Sequence, residues 1–200
     1  MGRRRRASAA GFTLMELLIS LLAFALFAAG VHQFARTMLH GVRVLEAAAE
    51  AQEAARLGVL LIVGDLRDAG FSPTGTLGNG LRRATPEAVA IVRDLNGDGD
   101  SDDANEAVAY EFAADRRCLF RAPGGAPPQP LINDVADAGV RFSYLAADGA
   151  PLAGDELDAA ARSLVRRVAV RVAVAIPNPD PADSRPLRVE EQATVTLRNG

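Results

Sequence analysis

The sequence predicts an α+β fold, in which one long N-terminal α-helix packs its C-terminal half on a mainly antiparallel β-sheet. Residues 12–69 form one stretch that is apolar at first and then amphipathic, rich in the helix formers Ala, Leu, Glu, Gln and Arg. After residue 86, short segments alternate apolar and polar residues, which is typical of half-buried strands. Because a helix and a sheet each bury one face, we expect the two to pack together.

The chain begins with a short basic segment, residues 1–11, which has the composition of an export leader. Its four consecutive arginines, Arg3 to Arg6, precede an apolar stretch. Residues 12–31 match the length of about 20 residues that a helix needs to cross a bilayer. Because positively charged flanks stay in the cytoplasm, we expect residues 12–35 to span a membrane and the remainder to face outward.

Charge and cysteine content exclude two classes of interaction. Without the leader, 18 arginines face 25 acidic residues, a balance of −7, so the chain has no general electrostatic reason to bind nucleic acid. Cys118 is the only cysteine, so an intramolecular disulfide is impossible. The exported domain must therefore depend on packing, or on a bound metal, for its stability.

One acidic residue, Glu16, interrupts the apolar segment. A carboxylate at the centre of a bilayer costs about 2.5–3.5 kcal/mol on insertion scales, and such residues usually have a function and a partner. The alternative is that Glu16 lies near the membrane surface, where its side chain reaches water. The residues around Glu16 bear on this choice.

Residues 11–16, with the sequence GFTLME, follow a basic leader and open an unbroken apolar helix. This combination resembles the processing motif of type IV prepilins and pseudopilins. The resemblance implies a pilin-like fold and cleavage between Gly11 and Phe12 by a membrane peptidase, which also methylates the new amine of Phe12. It further implies that Glu16 pairs with the Phe12 amine of a neighbouring subunit during assembly.

The resemblance divides the chain into four parts. They are a leader removed on maturation (1–11), the transmembrane and filament-core half of the helix (12–35), its amphipathic half (36–70) and a β-rich periplasmic or extracellular head (71–200). The precursor is then expected in the bacterial inner membrane with its head outward, and later in a pilus or pseudopilus.

The helix is predicted from Phe12 to Ala69, about 58 residues and about 87 Å long, with Gly70 as its C-terminal cap. Its apolar face is predicted to comprise Leu45, Ala48, Ala49, Ala55, Leu60 and Val63. The helix end, from Ala55 to Phe71, resembles PilW-type minor pilins and, more loosely, J-type minor pseudopilins of type II secretion. Within it, Asp65, Arg67 and Asp68 are interpreted as surface or capping charges.

The head is predicted to contain six strands separated by loops. The strands are 88–92, 107–112, 118–121, 140–145, 165–176 and 189–198, with a short helix or turn at 155–162. In the segment 165–176, the four valines at even positions and Ile176 share one face. Loops are predicted at 71–86, 124–130 and 177–186, which are rich in glycine and proline.

An acidic loop at 94–106 is the one segment with the pattern of a metal site. Its start matches the D-x-N-x-D-G pattern of a calcium loop, although the twelfth residue is Asn105 instead of a carboxylate. The predicted ligands are Asp94, Asn96, Asp98, Asp100, Asp102 and Glu106. Five aspartates in this span repel one another without a cation, which favours a structural calcium ion; the alternative is a polar turn between strands. No other cofactor is expected.

Neither a phosphate-binding loop nor a nucleophile elbow occurs, so no enzyme activity is predicted. The resemblance implies a minor pilin of a type IV pilus, in the tip or in an assembly-priming complex. Its expected partners are membrane lipid, the prepilin peptidase and methyltransferase, other minor and major pilins, and the inner-membrane assembly platform. Two alternatives are a minor pseudopilin of type II secretion and a membrane-anchored binding module that forms no filament.

Overall fold

A single long helix dominates the computed structural model, which describes residues 12–73, 75, 77–124 and 126–198. Helix α1 spans Leu14–Asp68 and contains 55 residues, which confirms the predicted long helix. Thr13 caps its N-terminus, and Gly70 follows the last turn with a φ of +72°. This left-handed conformation suits glycine, as predicted for the residue after the helix end.

Only the C-terminal half of α1 is packed against the rest of the chain. Its buried stripe repeats every three or four residues and comprises Ala51, Ala55, Gly58, Val59, Ile62, Val63, Asp65 and Leu66. The predicted apolar face was partly wrong, because Leu45 and Leu60 are 71% and 55% exposed. Ala49 is exposed as well. Leu60 lies on the opposite side of the helix from the Ala55–Ile62–Leu66 stripe. Leu45 lies on the same side as the buried Val63, about five turns earlier, but it precedes the packed part of α1, which begins at Ala51.

The head contains two antiparallel sheets, whereas one was predicted. The first sheet has five strands in chain order, β1 (Leu81–Ala84), β2 (Ala88–Val92), β3 (Ala107–Ala113), β4 (Cys118–Pro123) and β5 (Gln129–Ile132). The second sheet has the order β7-β6-β8-β9 and consists of β6 (Val135–Leu145), β7 (Pro151–Leu152), β8 (Arg167–Ile176) and β9 (Leu187–Thr196). A short helix, α2 (Ala159–Leu164), connects β7 to β8.

Three segments predicted as loops, or given no element, contain strands. Strand β1 lies inside the predicted loop 71–86, and β5 begins inside the predicted loop 124–130. Pro130 is tolerated in β5 because β5 is an edge strand, where one side of the backbone has no partner. The two-residue strand β7 is too short to leave a pattern in the sequence. Strand β6 begins five residues earlier than predicted, because an irregular segment before Val140 interrupts its pairing.

The alternation in β8 was predicted correctly. Val168, Val170, Val172 and Val174 are all buried, while Ile176 at the strand end is half-buried. Helix α1 lies across β8 and β9 of the second sheet and also contacts β5 of the first sheet. The valine face of β8 therefore forms the centre of one hydrophobic core that both sheets share with the helix.

Two close approaches fix the helix on the head. A methyl group added to Gly58 would overlap the side chain of Ile132 on β5, so glycine is needed there for contact between α1 and the first sheet. At the helix end, the Gly70 amide donates to the Val92 carbonyl (2.8 Å), and the Val92 amide donates to Gly80 (2.8 Å). These bonds join the end of α1 to β2, immediately before the acidic loop.

Candidate functional site

The N-terminal half of α1 has an unusually apolar and fully exposed surface. Every residue from 12 to 39 is exposed, including Leu17, Phe24 and Phe27 at 58%, 70% and 70%. By length and composition, α1 is the one helix in the described part of the chain that could cross a membrane. The predicted membrane segment therefore projects from the head as a rod that no other part of the described chain covers.

Glu16 closes the N-terminus of its own helix. Its Oε2 accepts hydrogen bonds from the Thr13 backbone amide (2.9 Å) and the Thr13 hydroxyl (3.0 Å). The Glu16 amide in turn donates to the Thr13 hydroxyl oxygen (3.2 Å), which completes a reciprocal capping box. Gly11 and the leader lie outside the described residues, so cleavage between Gly11 and Phe12 stays a prediction.

A buried ion cluster joins the other end of α1 to the first sheet. Asp65 Oδ1 accepts from Arg93 Nη1 (3.0 Å), and Asp65 Oδ2 accepts from Arg121 Nε (2.9 Å) and from the Tyr110 hydroxyl in a short hydrogen bond. Burial, together with the adjacent Asp65, raises the pKa of Tyr110, so this hydroxyl remains a donor. We call Asp65, Arg93, Tyr110 and Arg121 the Asp65 cluster.

The interpretation of Asp65 as a surface or capping charge was wrong, since Asp65 is 6% exposed. Arg67 and Asp68 are exposed, as predicted. The sequence does contain a signal for this difference: Asp65 falls on the same helical stripe as Ile62 and Leu66. A carboxylate on a buried stripe requires cationic partners, and here they come from strands far along the chain.

The acidic loop connects β2 to β3, so strands flank it on both sides, as expected. Its first and last carboxylates are buried: Asp94 is 0% and Glu106 is 1% exposed. Asp94 accepts hydrogen bonds from the amides of Gly97 (2.6 Å) and Gly99 (3.1 Å), and Glu106 Oε1 accepts from the Leu95 amide (2.7 Å). Asp94 and Glu106 therefore stabilise the conformation of the loop by accepting hydrogen bonds from its backbone amides.

Three of the predicted calcium ligands converge. Carboxylate oxygens of Asp98, Asp100 and Glu106 all lie within 4.8 Å of one another, as hard cations require of their oxygen ligands. The Asn96 side-chain amide donates to Asp98 Oδ2 (2.8 Å), and it lowers the pKa of Asp98. Asp102 is exposed and contributes its amide to Asp100 Oδ1 (3.1 Å).

A further acidic side chain, Asp103, contributes to the electrostatics of the loop. Asp103 accepts from the Asn96 side-chain amide (2.6 Å), although it was not among the predicted ligands. Its pKa is raised by desolvation and by the nearby carboxylates of Asp98 and Glu106. Negative charge is thus concentrated where the carboxylates of Asp98, Asp100 and Glu106 meet, and carboxylate oxygens are the kind of ligand that calcium binds. Asp94 and Asp102, which were also predicted as ligands, do not belong to this group.

Arg93 connects the acidic loop to the Asp65 cluster. Its Nε donates to the Asn105 carbonyl (3.0 Å), and its Nη1 contacts Asp65 (3.0 Å) and Asp68 (3.6 Å). The backbone amide of Arg93 also donates to the Glu106 carbonyl (2.8 Å). The conformation of the loop and the docking of the helix end therefore depend on the same guanidinium group.

Comparison with solved structures identifies the fold. A type IV-like pilin from Thermus thermophilus superposes with a TM-score of 0.51 at 15% sequence identity. The match covers 74% of this chain and 95% of that protein. No protein-family model matches the chain, and no curated protein sequence is significantly similar to it. The chain thus has a type IV pilin-like fold, in agreement with the predicted fold class.

Proposed function

We propose that this chain is a minor pilin of a type IV pilus, located in the tip or in the complex that primes assembly. The observation that carries this proposal is the division of α1: residues 12–39 are exposed and apolar, while the residues from Ala51 onward pack on the head. An apolar rod of this size needs a cover of lipid or of other helices. In a pilin, lipid covers this part of the helix in the membrane, and the helices of other subunits cover it in the filament.

Maturation begins with removal of residues 1–11. The sequence GFTLME supports cleavage after Gly11 by a prepilin peptidase, which then methylates the amine of Phe12. Before this step the four arginines hold the precursor with its head outward in the inner membrane. After it, the subunit can be extracted by the assembly platform and packed with other minor and major pilins.

Glu16 selects the register of the entering subunit in this proposal. In the single chain its Oε2 is used by Thr13, while its Oε1 forms no hydrogen bond within the described residues. The Phe12 amine of a neighbouring subunit would then pair with this second oxygen. Inside an apolar helix bundle, loss of one partner of such a pair costs about 3–5 kcal/mol, because the other charge remains buried.

Two substitutions separate the pairing role of Glu16 from its capping role. Glu16→Gln keeps the capping box, in which glutamine also serves, but removes the charge. Thr13→Ala removes the cap, at a cost of about 1 kcal/mol, but keeps the charge. We expect Glu16→Gln to be cleaved normally and to be absent from filaments, whereas Thr13→Ala assembles.

The assay measures the N-terminal mass of the protein in membranes and its amount in sheared filament fractions. Normal incorporation of Glu16→Gln would exclude the pairing role. Incorporation of Glu16→Gln together with failure of Thr13→Ala would assign Glu16 a role in capping alone.

We also propose that the acidic loop binds one structural calcium ion. The convergence of Asp98, Asp100 and Glu106 within 4.8 Å supports this, and the ion would hold the turn between β2 and β3 in a domain without a disulfide. Calorimetry on the full chain in nonionic detergent micelles tests the site. We expect heat of binding that Asp98→Asn removes and that Asp155→Asn, an exposed control outside the loop, retains. Absence of heat at millimolar calcium contradicts the proposal.

A further inference from the structure

The outer face of the second sheet, which points away from the valine core, carries a polar groove. Strand pairing places Arg141 of β6 directly opposite Arg171 of β8, and Arg171 opposite Gln192 of β9. The next row brings together Ser143, Ala169 and Thr194. These two rows line a groove with a volume of about 400 Å³, which we call the arginine groove.

Within the described residues, carboxylates do not fully balance the charges in the arginine groove. Like charges directly opposite each other on adjacent strands destabilise a sheet. Arg171 is partly neutralised by Glu190, at 3.3 Å between Nη1 and Oε2, whereas Arg141 forms no ion pair with any carboxylate in the described ranges. The groove therefore keeps one excess positive charge, on a protein that is acidic once its leader is excluded.

We propose that the arginine groove binds a small hydroxylated carboxylic acid of the uronic acid class. One carboxylate would lie between Arg141 and Arg171, because guanidinium groups bind carboxylates through paired, charge-assisted hydrogen bonds. The hydroxyls of Ser143 and Thr194 and the amide of Gln192 offer both donors and acceptors to ligand hydroxyl groups.

The size and charge of the groove define this ligand class. Ala169 is the small residue between Ser143 and Thr194, so the middle of the second row is free of a long side chain. A volume of about 400 Å³ is in the range of small-molecule sites. A monoanion balances the excess charge, whereas a phosphate dianion would exceed it and would be repelled by Glu190.

The test uses the full chain in nonionic detergent micelles and galacturonate as the probe. Isothermal titration should show binding that weakens as the salt concentration rises, because the contact is partly exposed. Arg141→Gln should weaken it at least about tenfold, as expected for loss of one charge-assisted contact. Because Arg141 forms no ion pair within the described residues and opposes the like charge of Arg171, this variant should keep the wild-type melting temperature or exceed it. Arg188→Gln, on the outer face at the far end of β9, is the matched control and should bind like the wild type.

Three further probes test the ligand chemistry. Galactose has the hydroxyl groups without the carboxylate, and acetate has the carboxylate without the hydroxyl groups; both should bind at least about tenfold more weakly than galacturonate. Inorganic phosphate should also bind more weakly than galacturonate. The proposal is overturned if galacturonate does not bind, if Arg141→Gln binds it like the wild type, or if acetate or phosphate binds as tightly.

Discussion

The buried carboxylate of Asp65 allows a quantitative test of how the helix is held on the head. Asp65→Asn removes the negative charge that Arg93 and Arg121 share at 3.0 and 2.9 Å, while the shape of the side chain is nearly kept. Both arginines then stay in the Asp65 cluster without their carboxylate; the Arg93 side chain is only 9% exposed. Breaking a buried pair in this way costs about 3–5 kcal/mol.

Asp68→Asn is the matched control for this prediction. Asp68 lies on the same helix and contacts the same Arg93 nitrogen at 3.6 Å, but its side chain is 52% exposed. An exposed ion pair contributes about 0–1 kcal/mol, so the control should change the free energy of unfolding by no more than that. The assay is urea unfolding of the full chain in detergent, followed by circular dichroism of the sheets. Equal effects of the two substitutions, or a loss below about 1 kcal/mol for Asp65→Asn, would refute the reasoning.

Other predictions follow from the packing. In Gly58→Ala, overlap with Ile132 should lower the free energy of unfolding by about 1–3 kcal/mol, and the higher helix propensity of alanine should offset up to about 1 kcal/mol of this loss. In Gly64→Ala the added methyl group meets open space, so this variant should be neutral or stabilising in the same urea titration. Cys118 is buried, and burial raises the pKa of its thiol; iodoacetamide should therefore modify it only after unfolding, and rapid labelling of the native protein would contradict its position.

The elements that a single stretch of sequence specifies were predicted well. Helix α1 follows from composition and periodicity, and β8 from an alternation of valines that only a half-buried strand explains. Gly70 at the helix end also follows from a local rule, because a left-handed residue there favours glycine. In each of these cases the deciding interactions lie within a few residues along the chain.

The features that were predicted wrongly depend on residues far apart in sequence. Local pattern cannot show that the strands divide into two sheets, because pairing between β6 and β8 skips β7 and α2. The buried state of Asp65 depends on Arg93 and Arg121, which lie 28 and 56 residues away. Leu60 was assigned to the packed face because it is apolar, although the periodic stripe excludes it.

The acidic loop was predicted only in part. Its position between strands and the meeting of Asp98, Asp100 and Glu106 agree with the sequence pattern. The pattern did not reveal that Asp94 and Glu106 would be buried and hydrogen-bonded to the loop backbone. The geometry of the loop decides whether a carboxylate accepts hydrogen bonds from the backbone or coordinates an ion. The spacing of acidic residues along the sequence does not specify that geometry.

The N-terminal mass of the mature protein, isolated from its own membranes, tests the proposed function most directly. If the chain is a pilin subunit, the mature protein begins at Phe12 and carries a methyl group on its terminal amine. A mature protein that still contains residues 1–11 would contradict the account, and it would favour an anchored binding protein that never enters a filament.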